Sequence, residues 1–352
     1  MKELFKEARD SLTAELKELL RLERQNLSAV NRWGEDLLVR LSRFTSGGKM
    51  IRGSLVLLSY CMFREEMPKW LVQIAAALEL IHSSLLIHDD IMDRDTLRRG
   101  IKTVFHQYRE VGEKESLLDP DHFGLSLGIC AGDIGFFLAF KILSQVDTTE
   151  HIRRSIFTLW SEELMTVGLA QMQDLYFGST DTKVSEKDIL DMYLHKTARY
   201  TFSLPLMSGG IAAEQDRSTL LLLSRLGENL GIIFQIKDDE IGLFGTETET
   251  GKPVGSDVKE KKKTLYALYL SELREGKHRQ ALTTILRKQE TSASDIETLR
   301  KIALESGVTR RVLEKVLHLK ERAETQIEQL AISDRGKEML RSILAYNLER
   351  SR

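Results

Sequence analysis

Apolar positions recur at three- and four-residue steps from the start of the chain. Leu4, Phe5, Ala8, Leu12, Leu16 and Leu19 fall on one helical stripe, with Lys, Glu and Arg between them. Apolar helical segments follow over 54–66 and 70–90, the second running straight into a cluster of acids. The same pattern returns over 125–145, 152–177, 186–204 and 217–240. Near the C-terminus, Ser294-Asp-Ile-Glu297 reads as a capping box, and Gly307 as the stop of the helix it opens. Alternating β-branched runs bounded by turn residues are missing, so the pattern predicts an all-α fold.

Breaks are few. Ser46-Gly47-Gly48 interrupts the chain before residue 50, 110–123 is polar and holds Pro120, and 245–263 holds Gly245, Gly251, Pro253 and Gly255 among charges. At 352 residues, length alone suggests about two domains. The apolar segments flanking each break have no other partner in sequence, however, and no repeat or low-complexity tract appears. The breaks therefore read as loops inside one helical domain spanning 1–352. Only 4 prolines occur, which favours long uninterrupted helices.

Composition narrows the function classes. Hydrophobic residues make up 42% and charged residues 30%, which excludes global disorder. With 51 Lys+Arg against 53 Asp+Glu, charge offers no case for a nucleic-acid or anionic-membrane partner. The longest charge-free stretch, Tyr200 to Ala213, contains Pro205 and Gly209-Gly210 and is shorter than the roughly 20 residues a bilayer needs. MKELFKEARD has no apolar core of a signal peptide. A soluble, cytoplasmic protein is expected, with Cys61 and Cys130 as buried small hydrophobes.

Candidate chemistry begins at Leu85-Leu-Ile-His-Asp-Asp-Ile-Met-Asp-Arg-Asp95. On a continuing helix, Asp89 and Asp93 lie one turn apart on one face. They repel each other at a C-terminal end, where the helix dipole already disfavours negative charge. A divalent cation would offset this, and all-oxygen ligands suit Mg²⁺, which keeps waters and shares substrate phosphates. A solvated acidic helix end is the plain alternative. Phe234-Gln-Ile-Lys-Asp-Asp-Glu240 repeats the design about 145 residues later, and a bundle can bring two such ends to one cavity.

Basic residues stand where phosphate would need them. Arg98-Arg99-Gly100 follows the first acidic cluster, and Lys49 and Arg52 follow the Gly47-Gly48 break, where free N–H groups at a helix start also suit an anion. Lys196 lies mid-chain, and Lys252 and Lys262 lie in the glycine-rich segment after the second cluster. Singly, each reads as a solvated charge. Together they suggest a site for two polyanions, one held by metal and one by Arg and Lys. His88 reads as an orienting or structural histidine rather than a ligand, and the AYNLERSR tail with Arg350 as frayed.

With these residues in place the chain resembles the trans-isoprenyl diphosphate synthases, the polyprenyl synthetase family. The motifs run in the family's order: GGKMIR (47–52), ELIH (79–82), HDDIMDRDTLRRG (88–100), AGD (131–133), AQMQDL (170–175), KT (196–197), FQIKDD (234–239) and GKPVGSDVKEKKKT (251–264). The resemblance implies about ten or more helices around a central cavity, usually in a homodimer. It implies an allylic diphosphate bound through Mg²⁺ to Asp89, Asp93 and Asp238, with Asp90 and Asp239 supporting. Roughly three ions per site are implied when substrate is bound. Arg98, Lys196, Thr197, Gln235, Lys252 and Lys262 match the remaining allylic positions. Lys49, Arg52, His82 and Arg99 match a metal-free clamp for isopentenyl diphosphate, and Gln171 and Asp174 help position the leaving diphosphate.

Three departures from the family pattern stand out. Met50 and Gly53 replace an Arg and the Pro of GGKRxRP, Gly242 replaces the last Asp of the second DDxxD, and 110–123 looks long for its connection. The family's product runs past the helix before the first acidic cluster, where Ile81, Ser84 and Leu85 lie. Small Ser84, where a blocking aromatic is common, implies products of C20 or longer, and Ser84→Phe should shorten them. Phe136, Phe137 or Trp160 would be alternative floors. A class I terpene cyclase would not need the isopentenyl clamp. A silent partner subunit would be expected to lose the first-motif aspartates or Arg98-Arg99, and a helical scaffold would have no diphosphate binding for Asp89→Ala to remove.

Overall fold

The apolar stripes become helices throughout a computed structural model, which describes residues 2–180, 182–245, 258, 262–273, 276–286, 288 and 292–350. The fold is all-α. Among the described residues, β structure is limited to a hairpin of two-residue strands. By internal contacts the chain divides into two compact units, Met1–Thr158 with Ser208–Glu214, and Leu159–Met207 with Gln215–Arg352.

In the first unit, α1 (Lys2–Ser28) buries Leu12, Leu16 and Leu20 while its polar face stays in solvent. α2 (Arg32–Ser46) starts at Asn31, whose side chain accepts the Trp33 N–H at 2.9 Å. α3 (Ile51–Cys61) is buried from Gly53 to Tyr60, and α4 (Lys69–Met92) buries Leu71, Ile74, Leu78 and Ile81. Each such side chain removed from water stabilises by roughly 1.5–3 kcal/mol. Strands β1 (Leu97–Arg98) and β2 (Ile101–Lys102) pair antiparallel across Arg99-Gly100. Both turn residues have positive φ, 54° and 75°, the conformation of a two-residue hairpin turn. α5 (Val104–Lys114) and α6 (Pro120–Gln145) complete the unit, and α7 (Glu150–Ser179) begins in it.

α6 lies on α4 with almost no side chain between them. A Cβ on Gly128 would fall 2.8 Å from Ile91 Cδ1, on Gly132 2.2 Å from His88 Nε2, and on Gly135 2.2 Å from Ser84 Oγ. As α6 ascends α4 descends, so the two are antiparallel, and hydrogen side chains permit the approach. Residues 110–123 are therefore largely helical, with only 115–119 between α5 and α6. Pro120 opens α6 at its first position, which needs no N–H, and the Asp119 side chain caps it.

In the second unit, α8 (Glu186–Met192) is opened by a Ser185–Asp188 capping box and passes into a π-helix, Tyr193–Ser203, then α9 (Leu204–Ala212), which from Ser208 on belongs to the first unit. The expected single α-helix over 186–204 is thus corrected. α10 (Arg217–Phe244) follows Asp216, which accepts the Thr219 N–H at 2.7 Å. α11 (Leu265–Ser271), α12 (Lys277–Leu286), α13 (Ala293–Glu305), α14 (Val308–Gln329) and α15 (Asp334–Glu349) follow. The capping box of α13 is Ser292 with Asp295, two residues ahead of the expected pair, because Ser292 keeps extended backbone while Ser294 is already helical. Gly307, at φ +79°, separates α13 from α14 as expected.

Two further expectations change. Cys130 is exposed on the outer face of α6, opposite its glycines. α4, α6 and α10 are each long and apolar enough, by length and composition, to cross a membrane. The absence of a long charge-free run had hidden this, since each tolerates a charge or two. In α4 the apolar side chains are spent on neighbouring helices, with 67% of the window buried.

Candidate active site

The first acidic cluster ends α4. Asp93 N–H donates to Asp89 O at 2.8 Å, so the helical turn that aligns the two carboxylates is intact, and both are half-buried. Asp90, rotated inward, is fully buried. Arg98 Nε donates to Asp90 Oδ1 at 2.5 Å, and Arg98 Nη2 to Asp89 Oδ2 at 3.3 Å. Asp90 Oδ2 has no hydrogen-bond partner among the described residues. Burial pushes the Asp90 carboxyl up to about 7, against the pull of Arg98. His88 Nε2 approaches Ile129 O at 3.1 Å and Asp133 Oδ1 at 3.5 Å, and packs over Gly132. The AGD motif is thus where α6 grips the last turns of α4.

The hairpin turns its two arginines apart. Arg98 goes back to the aspartates, whereas Arg99 reaches the Gly47-Gly48 break, its Nη1 3.1 Å from where a Gly48 Cβ would sit. Lys49 is exposed and Arg52 half-buried on either side of the start of α3. His82, on α4, feels the charges of Arg52, Arg99 and Arg98. Burial first, and then these charges, hold its imidazole well below the ordinary range. Lys49, Arg52, His82 and Arg99 therefore lie on neighbouring elements of one unit. Ser84 and Ile81 are fully buried. Ser84 faces Gly135 of α6, so a phenylalanine there would press on that helix contact first. Leu85 is half-buried; Phe137 is 72% exposed and Trp160 fully enclosed.

The second cluster is built by α10 and the π-helix. A Cβ on Gly227 would lie 2.5 Å from Ser203 Cα, and on Gly231 2.3 Å from Ala198 Cα, so the two run backbone against backbone. One turn further, Thr197 Oγ1 donates to Gln235 Oε1 and Gln235 Nε2 to Asp239 Oδ1, both at 2.8 Å. The next step brings the Tyr193 hydroxyl to Asp239 Oδ2, and the same hydroxyl accepts the Leu265 N–H at 3.1 Å. A π-helix commonly marks a functional segment because its wide turn re-aims side chains. Here it points Tyr193, Lys196 and Thr197 toward the end of α10 and the nearby end of α7.

Asp238 is half-exposed, and Arg350 Nη2 pairs with its Oδ1 at 3.0 Å while the guanidinium stacks 3.9 Å from the Phe234 ring. Arg350 is only 10% exposed, so the expected frayed tail is instead docked. Lys196 pairs with Asp174 of the AQMQDL motif. Lys262 is half-buried; Lys252 lies outside the described residues. Among the described residues, no three or more His, Cys, Asp or Glu gather as a ready metal cluster. The donor set nonetheless fits Mg²⁺, whose remaining positions go to water and substrate phosphate. Tyr193 was missed from sequence. The spacing Gly227, Gly231, Gln235, Asp239 along one face of α10 was the available signal.

Helix-borne aspartate pairs backed by arginine and lysine are a donor set that suits metal-assisted handling of a diphosphate. The polyprenyl synthetase family model matches residues 37–303, and the chain belongs to that family. It is 36% identical over 233 residues to the geranylgeranyl diphosphate synthase of Sulfolobus acidocaldarius, 65% of each chain. It is 30% identical over 311 residues to the geranylfarnesyl diphosphate synthase of Aeropyrum pernix, 87% of this chain and 91% of that enzyme. A geranylgeranyl pyrophosphate synthase from Corynebacterium glutamicum, solved with isoprenyl diphosphate and magnesium, superposes with a TM-score of 0.89 at 28% identity over 99% of both chains.

Proposed function

We propose that this chain is a Mg²⁺-dependent trans-prenyltransferase. It condenses isopentenyl diphosphate head to tail with an allylic diphosphate and gives a linear polyprenyl diphosphate of C20 or longer. The observation that carries the reading is the matched build of the two acidic helix ends. In each, one aspartate is drawn inward and buried, Asp90 on Arg98 and Asp239 on Gln235 and Tyr193, while its neighbour, Asp89 or Asp238, keeps part of its surface in solvent beside a single arginine. An accessible carboxylate braced by a buried one suits a cation arriving with its substrate.

Asp89, Asp93 and Asp238 would hold Mg²⁺, about three ions with substrate bound, with Asp90 and Asp239 behind them. When bound, the metal neutralises charge developing on the diphosphate as the allylic C–O bond breaks. Arg98, Lys196, Thr197, Gln235, Lys252 and Lys262 orient the allylic diphosphate, Lys196 exchanging Asp174 for a phosphate oxygen. Lys49, Arg52, His82 and Arg99 hold isopentenyl diphosphate so that its alkene faces the cationic carbon, a gain from orientation as much as from charge. A new C–C bond forms, a proton leaves, and the departing diphosphate accepts it. The names of the relatives support C20 or longer. The chain works as one domain over 1–352, as a cytoplasmic homodimer, in this reading.

The test is incubation with Mg²⁺, isopentenyl diphosphate and allylic primers from C5 to C20, with products read by mass spectrometry. A ladder stepping by C5 supports the reading. Diphosphate release with a cyclised hydrocarbon points to a class I cyclase. Silence with every primer points to a non-catalytic subunit.

A further inference from the structure

Glu79 has no place in the mechanism above, yet it is 3% exposed on α4, between Leu78 and Leu80, which are fully buried. A carboxylate in such surroundings is costly unless it is paired and hydrogen-bonded. Its partners come from α3. Gly53 N–H donates to Glu79 Oε1 at 2.7 Å, and the Arg52 backbone N–H also bonds the carboxylate. The guanidinium charges of Arg52 and Arg99 act on it as well.

The need for this contact lies in how α3 begins. The first N–H groups of a helix have no partner within it. The residue before α3, Met50, sits at φ +51° and offers no side-chain cap. Glu79 supplies that cap from the adjoining helix. Gly53 makes it possible: a Cβ there would come within 2.9 Å of Ala75 O and Leu12 Cδ1 and 3.1 Å of Glu79 Cγ. A proline, usual at this point of the resembled motif, would have no N–H to donate. One turn along α4 from Glu79 stands His82, itself under the charges of Arg52 and Arg99.

We propose that Glu79 is a positioning residue for the isopentenyl diphosphate clamp, fixing the start of α3, and with it Arg52, against Arg99 and His82. The assignment rests on reading Lys49, Arg52, His82 and Arg99 as that clamp. Burial pushes the Glu79 carboxyl upward while the Gly53 and Arg52 N–H groups and the Arg52 and Arg99 charges pull it back, and its hold on the start of α3 keeps the clamp in place when empty.

The experiment compares wild type, Glu79→Gln and Glu79→Ala in steady-state kinetics with each substrate varied, alongside thermal melts and circular dichroism. Glu79→Gln keeps the volume and one acceptor oxygen but loses the other. Loss of one acceptor for the buried N–H groups at the start of α3 predicts a KM for isopentenyl diphosphate raised roughly tenfold. The KM for the allylic primer should stay within about twofold, below the change a lost hydrogen bond gives. Glu79→Ala, folded by circular dichroism, should raise the first KM further. A fall in melting temperature with both KM values unmoved, or both rising together, overturns the positioning role. Silence of the wild type with every primer overturns the clamp assignment itself and this proposal with it.

Discussion

Replacing Gly231 with alanine adds one methyl group where α10 lies backbone to backbone on the π-helix. The new Cβ would fall 2.3 Å from Ala198 Cα, 2.6 Å from its Cβ and 2.9 Å from its carbonyl oxygen. Ordinary contact begins near 3.4 Å, so about 1 Å must be found. The neighbour is main chain, so no rotamer change relieves it, and the two elements must part. Overpacking of this kind costs about 1–3 kcal/mol. The better helix propensity of alanine returns up to ~1 kcal/mol. Moving the π-helix by a similar distance takes Thr197–Gln235, now 2.8 Å, outside hydrogen-bonding range, a further loss of ~0.5–1.5 kcal/mol. Net destabilisation of roughly 1–3 kcal/mol is expected in urea unfolding. Gly168→Ala, which meets nothing within 4 Å, serves as the control and should be neutral or stabilising by up to ~1 kcal/mol. The allylic KM should rise in Gly231→Ala, because Gln235 braces Asp239. If Gly231→Ala is as stable as the control and its allylic KM is unchanged, the backbone-contact reasoning is wrong.

Three other outcomes are expected. Arg350→Ala removes a cation from Asp238, so calorimetry on substrate-free protein should show Mg²⁺ binding tighter by up to about fivefold, the worth of a partly exposed pair; weaker binding would mean that Arg350 helps the metal. Ser84→Phe should lower stability by about 1–3 kcal/mol in denaturant, since it presses on Gly135; a fully stable variant with shorter products would instead put position 84 on the product cavity. The Asp295 carboxyl is pulled down to about 2 by Lys288 and Ser292. Its stabilisation is therefore complete above its ordinary value near 3.8 and disappears as pH falls toward 2. In Ser292→Ala, carboxyl NMR should find Asp295 titrating at higher pH; an unmoved titration would remove Ser292 as a cause.

Much of the candidate site was legible because its pieces are local. Asp89 and Asp93 align through one turn of one helix, and a three-to-four-residue rhythm was enough to see it. Arg98 and Arg99 were found as charges, but not that a tight turn would send one to the aspartates and the other to Gly48. Ser84 shows the limit of arguing from one helix alone. Its small size suggested room for product, and the local pattern gave no sign that its hydroxyl would lie against Gly135 of α6. Arg350 shows the same limit at the chain end, where an unremarkable polar tail finds Asp238 and Phe234.

The sequence by itself determined the helices, the acidic and basic sets and the reaction class they resemble, since helix periodicity and charge repulsion act over a few residues. Tertiary structure alone decided which aspartate of each pair turns inward, that residues 193–203 widen into a π-helix, and that Glu79 caps a helix other than its own. These outcomes depend on how closely two backbones approach. That distance is set by glycines on one element meeting residues far away in the chain, and glycine spacing along one helix shows a close contact without naming its partner.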